Sequence, residues 1–123
     1  MFEILPQSKG ANIAVKASGI ISESDYEAFL PEFDRRCEEV LRFRLLLDWE
    51  HFEGWEDEKA VAASFVQRIL HRLRCERIAI LSDDPRHLGD IKVLQGLLRS
   101  VTPRVFPTTE RDAAWSWLTR DSV

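Results

Sequence analysis

Residues 45–60 read LLLDWEHFEGWEDEKA, and the parsing of this stretch decides the fold. Three successive leucines cannot alternate between core and water. A strand that is apolar on both faces fits the middle of a parallel sheet covered by helices, so Phe43 to Trp49 is read as a central strand. The apolar run stops at Asp48. From Glu56 the pattern changes period: Val61, Ala62, Phe65, Val66, Ile69, Leu70 and Leu73 recur at helical spacing through Leu73. Glu56, Asp57 and Glu58 would occupy the first turn, where carboxylates complement the positive end of the helix dipole. The segment between strand and helix, Trp49 to Trp55, is then expected to be a loop.

The same alternation continues outward in both directions. RIAILS, Arg77 to Ser82, reads as a second buried strand. Asp84-Pro85 supplies a cap followed by proline at the first helical position. The helix it opens is expected to reach about Ser100, with Ile91, Leu94, Leu97, Leu98 and Val101 as its stripe. Pro103 to Phe106 is a last short strand, and Thr109 with Asp112 begins a final helix through Leu118. Upstream, Phe2 to Leu5 and the alternating Ala11 to Ile21 form a hairpin across the turn Gln7 to Gly10. Ser22 caps a helix carrying Tyr26, Phe29, Leu30, Phe33, Cys37, Val40 and Leu41 on one face. Pro31 lies inside that pattern, where a bend is expected.

The order β-β-α-β-α-β-α-β-α implies a single α/β domain: a mainly parallel open sheet with an N-terminal antiparallel hairpin and right-handed βα superhelical crossovers. The domain is expected to span 1–119, with 120–123 as a frayed tail. A length of 123 residues suits one domain. The net charge of −4 argues against general nucleic-acid binding. Charge is uneven: 14 acidic against 7 basic side chains in residues 1–60, and 7 against 10 in 61–123. Cys37 and Cys75 fall in segments expected to be helical and read as reduced, partly buried thiols. The start MFEILPQSKG has no basic region followed by a long apolar stretch, so no signal peptide is expected. No window approaches the ~20 apolar residues of a transmembrane helix. The expected location is the cytoplasm.

With the elements placed, the chain resembles the SpoIIAA-like family, single domains related to STAS anti-sigma-factor antagonists. The resemblance lies in EILP at Glu3–Pro6, ASGIISESDYE at Ala17–Glu27, RLLLDWEHFEGW at Arg44–Trp55, ERIAILSDD at Glu76–Asp84, PRVFP at Pro103–Pro107 and AAWSWL at Ala113–Leu118. It implies the SpoIIAA-like fold, with an overall topology similar to the Sec14 lipid-binding group. It also implies a phosphorylatable hydroxyl where the helix follows the central strand, here Glu50 to Lys59. That hydroxyl is missing, since no serine or threonine lies between Ser24 and Ser64. A phosphate there would add about −1.5 to −2 charges beside Glu50, Glu53, Glu56, Asp57 and Glu58.

Ligands of parallel sheets bind outside the C-terminal strand ends, and there Asp48, Glu50, His51, Ser82, Asp83 and His87 are expected to converge. Three readings compete. In the first, Trp49, Phe52 and Trp55 cap the core and the carboxylates serve the helix dipole. In the second, Asp48, Trp49, His51, Phe52, Trp55, Ser82, Asp83 and His87 bind a protein partner or a small apolar, lipid-like ligand, because aromatics dominate interface energetics. In the third, Asp48, His51 and His87 serve a small hydrolase or a divalent-metal-dependent enzyme. The third lacks H-E-x-x-H, C-x-x-C, calcium-loop and G-x-S-x-G patterns. Gly10, Gly19, Gly54, Gly89 and Gly96 form no phosphate-cradling loop, and no cofactor is expected. His71 and Cys75 stand four apart, as two ligands on one helical face would. Arg68, Arg72, Arg74 and Arg77 form a basic cluster without interleaved aromatics in sequence, so no nucleic-acid partner is expected. A homodimer through the charge asymmetry or the edge strand Phe2–Leu5 is a further expectation. The second reading, a non-enzymatic binding domain, is preferred.

Overall fold

A computed structural model describes residues 1–40, 42–56, 75–85, 92 and 102–120. The helices expected over 56–73 and 84–100 lie almost wholly outside the described residues. The described strands are β1 (Phe2–Ile4), β2 (Asn12–Ile21), β3 (Phe43–Trp55), β4 (Cys75–Leu81) and β5 (Arg104–Phe106), with helices α1 (Glu23–Glu38) and α2 (Arg111–Thr119). They form one sheet in the order β1-β2-β3-β4-β5. β1 pairs antiparallel with β2, and every other pairing is parallel. The expected α/β sheet with its N-terminal hairpin is therefore the observed one.

The leucine triplet works as its composition requires. Leu45 and Leu47 face a core shared with α1, where Tyr26, Phe29, Phe33 and Cys37 pack on Ile13, Val15, Ile78 and Ile80. Leu46 faces the opposite core, with Ala14, Ala79, Leu81 and Phe106 beneath Ala114 and Leu118 of α2. Each fully buried leucine contributes about 1.5–3 kcal/mol relative to exposure.

α1 starts where its sequence says it should. The backbone N–H of Asp25 donates to Ser22 Oγ at 3.1 Å, and the N–H of Ser22 donates to Asp25 Oδ2 at 3.0 Å. The Ser22 N–H, and after it the Ser22 hydroxyl, donate to the Asp25 carboxylate, favour its ionised form and hold the Asp25 pKa below its usual range. Pro31 sits on the exposed side of a helix that continues to Glu38.

Two expectations are corrected. Cys75 opens strand β4 rather than ending a helix, so it shares no helical face with His71, which lies outside the described residues. Burial pushes its thiol up to about 12. The second correction concerns the length of β3. The strand does not stop at Trp49 but continues to Trp55, paired with β2 throughout. Its register with β2 shifts twice, between Lys16↔Asp48 and Ser18↔His51, and between Gly19↔Phe52 and Ile20↔Gly54. Each shift places one extra residue in β3, a β-bulge. Gly19 (φ 69°) and Gly54 (φ 123°) flank the second bulge with positive φ, which L side chains rarely adopt.

The bulges change the side-chain period. Residues 43, 45, 47 and 49 alternate regularly into the α1 core; after the first bulge the next inward residue is Phe52, and after the second it is Trp55. A spacing of three between aromatic residues is thus compatible with one strand and one buried face.

Candidate functional site

The parallel strands β4 and β5 end side by side, and β3 runs on past them. β4 and β5 end together at the pair Leu81↔Phe106, while β3 passes the end of β4 at Asp48↔Leu81 and continues to Trp55. Asp48 therefore sits at the rim of the sheet, yet its side chain is only 4% exposed. A buried carboxylate needs a charged or hydrogen-bonded partner. Asp48 has both: Arg111 Nη1 donates to its Oδ2 at 2.7 Å, and the Glu50 backbone N–H donates to its Oδ1 at 3.1 Å. The second guanidinium nitrogen of Arg111 bonds the Glu50 carboxylate. The hydrogen bonds that Arg111 donates to Asp48, ahead of the Asp48 charge and the bond to Glu50, raise the Arg111 pKa further.

A second tie lies beside the first. After β4, Ser82 is buried and its N–H donates to the Phe106 carbonyl at 3.1 Å. Asp83 accepts from the Thr108 backbone N–H at 3.0 Å and also from the Thr108 hydroxyl. Both bonds favour the ionised form and lower the Asp83 pKa. Asp48 of β3 and the residues that follow β4 are thus fastened to the start of α2 and the turn before it.

Of the residues expected to converge here, Asp48 and Glu50 meet through Arg111, while Ser82 and Asp83 meet the β5–α2 turn instead. His51 is exposed, with Nε2 4.0 Å from Glu50 Oε2. His87 lies outside the described residues. The segment expected as a loop is corrected to strand, while the burial of Trp49, Phe52 and Trp55, at 2%, 2% and 8% exposed, agrees with the reading in which they cap the core. The Phe52 ring lies 5.1 Å from each tryptophan, tilted against Trp49 and edge-on to Trp55, and Trp55 approaches Phe2 at 6.1 Å. The rings are held there because the bulges return the chain to the same face.

Sequence reasoning missed Arg111 and Thr108. A signal for Arg111 existed. It occupies the first turn of α2, where a cation opposes the helix dipole. A charge on the unfavourable end of a helix is explained here by a buried carboxylate 63 residues away.

Chemically, the arrangement presents a firmly built acidic rim. Both oxygens of Asp48 are engaged, which leaves Glu50, His51 and Glu53 as the exposed side chains of this part of β3. Among the described residues, no group of three or more histidine, cysteine, aspartate or glutamate side chains is placed to hold a metal ion. None of the described helices is long and apolar enough to cross a membrane.

The SpoIIAA-like family profile matches residues 12–119. In structure the chain is similar to an uncharacterized protein of the DUF3478 family with a SpoIIAA-like fold from Shewanella loihica PV-4, at 18% identity and a TM-score of 0.74, over 95% of this chain and 93% of that one. It is also similar to the Bacillus cell fate determinant SpoIIAA in its phosphorylated form, at 14% identity and a TM-score of 0.55, over 92% of this chain and 96% of that one. At these identities the likeness is one of fold. No curated protein matches the sequence.

Proposed function

This chain belongs to the SpoIIAA-like family, and from that premise we propose that it is a non-enzymatic, cytoplasmic binding domain that engages a protein partner through the rim at the C-terminal ends of β3, β4 and β5. The observation that carries the reading is the buried Asp48, clamped by Arg111 and continued by Glu50. An ion pair of this kind fixes a strand end and a helix start relative to each other. The exposed side chains around it, Glu50, His51, Glu53 and Asp83, are then presented without a large ordering cost on binding. Their charge favours a basic surface on the partner.

The burial of Trp49, Phe52 and Trp55 supports a protein partner over a small apolar ligand. The three rings already fill their side of the core with Phe2 and one another, and an acyl chain would have to displace them. Engagement of both Asp48 oxygens likewise supports binding over use of this carboxylate as a base or metal ligand. The domain works without a phosphorylated hydroxyl at the start of the segment after β3, since residues 25–63 contain neither serine nor threonine.

A photo-crosslinking residue at His51, with a second at the exposed Glu27 of α1 as control, tests this reading. A discrete protein adduct is expected from position 51 only. Unlabelled wild-type protein should compete for it, and the variant Glu50→Lys, its fold checked by circular dichroism, should compete far less. Adducts of the same kind from both positions, or equal competition by Glu50→Lys, would sink the proposal.

A further inference from the structure

The opposite end of the sheet carries an arginine row. Arg44 pairs in register with Arg77 across β3 and β4, and Arg104 of β5 pairs with Ala79, two residues further along β4. All three side chains lie on the α2 face. Like charges opposite each other on adjacent strands repel, so each needs a compensating partner. Arg44 has the Leu118 and Arg120 carbonyls, at 2.9 and 3.0 Å, and Glu76 at 3.1 Å. Arg77 donates to the Trp117 carbonyl at 2.9 Å and to that of Arg120. These carbonyls form the negative C-terminal end of α2, where cations are favourable.

Arg104 has no such partner. Among the described residues it makes no ion pair. Its guanidinium carbon lies over the Phe106 ring at 5.0 Å and over the Trp117 ring at 5.7 Å, with Arg77 also over Trp117 at 5.7 Å. The two rings are themselves in contact, 5.8 Å between centroids. The exposed Arg42 pairs with Glu76 at 3.9 Å, and Arg120 is exposed. Arg104 is therefore a planar donor fork laid on an aromatic platform, restrained before any ligand arrives and set in a positive field.

We propose that Arg104, resting on Phe106 and Trp117 beside Arg77, anchors a second binding site, one for an anionic group carrying two or more oxygens: a carboxylate or a phosphate. The guanidinium fork matches such groups in bidentate geometry, which a lysine does not reproduce. Stacking leaves the edge of the fork, where its N–H groups point, free for the anion. A basic cluster with interleaved aromatics is thus assembled by the fold from Arg77, Arg104, Phe106 and Trp117, residues that stand apart in sequence. This site is built from Arg77, Arg104, Phe106 and Trp117, whereas the function proposed above rests on Asp48, Glu50, His51 and Arg111, so its test uses different residues.

The test is a nuclear magnetic resonance titration of the full chain, following the Trp117 indole N–H and the Arg104 side-chain Nε–H. Inorganic phosphate and a short polyglutamate peptide are added in separate experiments. Saturable shifts confined to these signals and their neighbours are expected with at least one probe. Arg104→Lys should weaken binding about tenfold, the loss of one charge-assisted hydrogen bond, and Arg104→Gln should abolish the localised shifts. A response to phosphate alone assigns a small phosphorylated ligand, and a response to the peptide alone assigns an acidic protein segment; either supports the site. No saturable shift with either probe overturns it. So does Arg104→Gln binding as wild type does, or a shift spread evenly over every arginine, which would mean diffuse charge screening only.

Discussion

The two halves of β3 obey different rules. From Phe43 to Asp48 the strand lies between β2 and β4 and alternates strictly between the two cores. From Trp49 to Trp55 it keeps β2 but has passed the end of β4, and it alternates only after two extra residues are set aside. The first half is held by neighbours on both sides. The second is held by its aromatic rings, its bulges and the Asp48–Arg111 clamp at the junction. Regular pairing makes a strand readable; the rim proposed for binding lies where the pairing gives out.

The comparison breaks most directly at Phe52. Were the second half a surface loop, Phe52→Ala would change stability by no more than ±0.5 kcal/mol. As a core position it should cost about 3–5 kcal/mol, close to the 2–5 kcal/mol expected for Leu47→Ala in the regular half. Urea unfolding of both variants measures this, and near-wild-type stability for Phe52→Ala would restore the loop reading.

Next in size is the junction. Arg111→Met leaves Asp48 buried without its cation. Breaking a fully buried pair costs about 3–5 kcal/mol. Arg111 is 40% exposed, so water screens part of the loss and about 2–3 kcal/mol is expected. Adding Asp48→Asn should recover part of it by removing the stranded charge. A double-mutant cycle without coupling would show that the clamp holds nothing.

Smallest is the bulge itself. Gly54→Ala places a side chain at φ 123° with no atom within 4 Å of the new Cβ, so the cost is backbone strain alone. About 1–2 kcal/mol is expected. A thermal melt showing unchanged or raised stability would mean that the second bulge relaxes without cost.

These differences explain what the sequence disclosed. The hairpin, the Ser22 helix cap, the two-sided leucine strand and the short β5 were legible because each follows from local period, caps and turn residues. The extent of β3 was not legible, because Trp49, Phe52 and Trp55 recur every third residue and strand rules expect every second. Gly54 was the one local hint, since an isolated glycine in a strand pattern often marks a bulge. Asp48 was recognised as a candidate from its position at the end of an apolar run. Its partner was hidden because nothing local connects it to Arg111. The arginine row was hidden for the same reason: Arg44, Arg77 and Arg104 become neighbours only through sheet register.

The clamp also orders events on the ribosome. At about 5–20 residues per second, the 63 residues that separate Asp48 from Arg111 take roughly 3–13 s to synthesise. During that interval the nascent chain holds the hairpin, α1 and the leucine strand, but the carboxylate at the strand's end has no cation to accompany it into the interior. Asp48 is therefore expected to stay in water until Arg111 is available, so that this part of the sheet closes late and the residue that anchors the finished rim sets its closure to the arrival of the last helix.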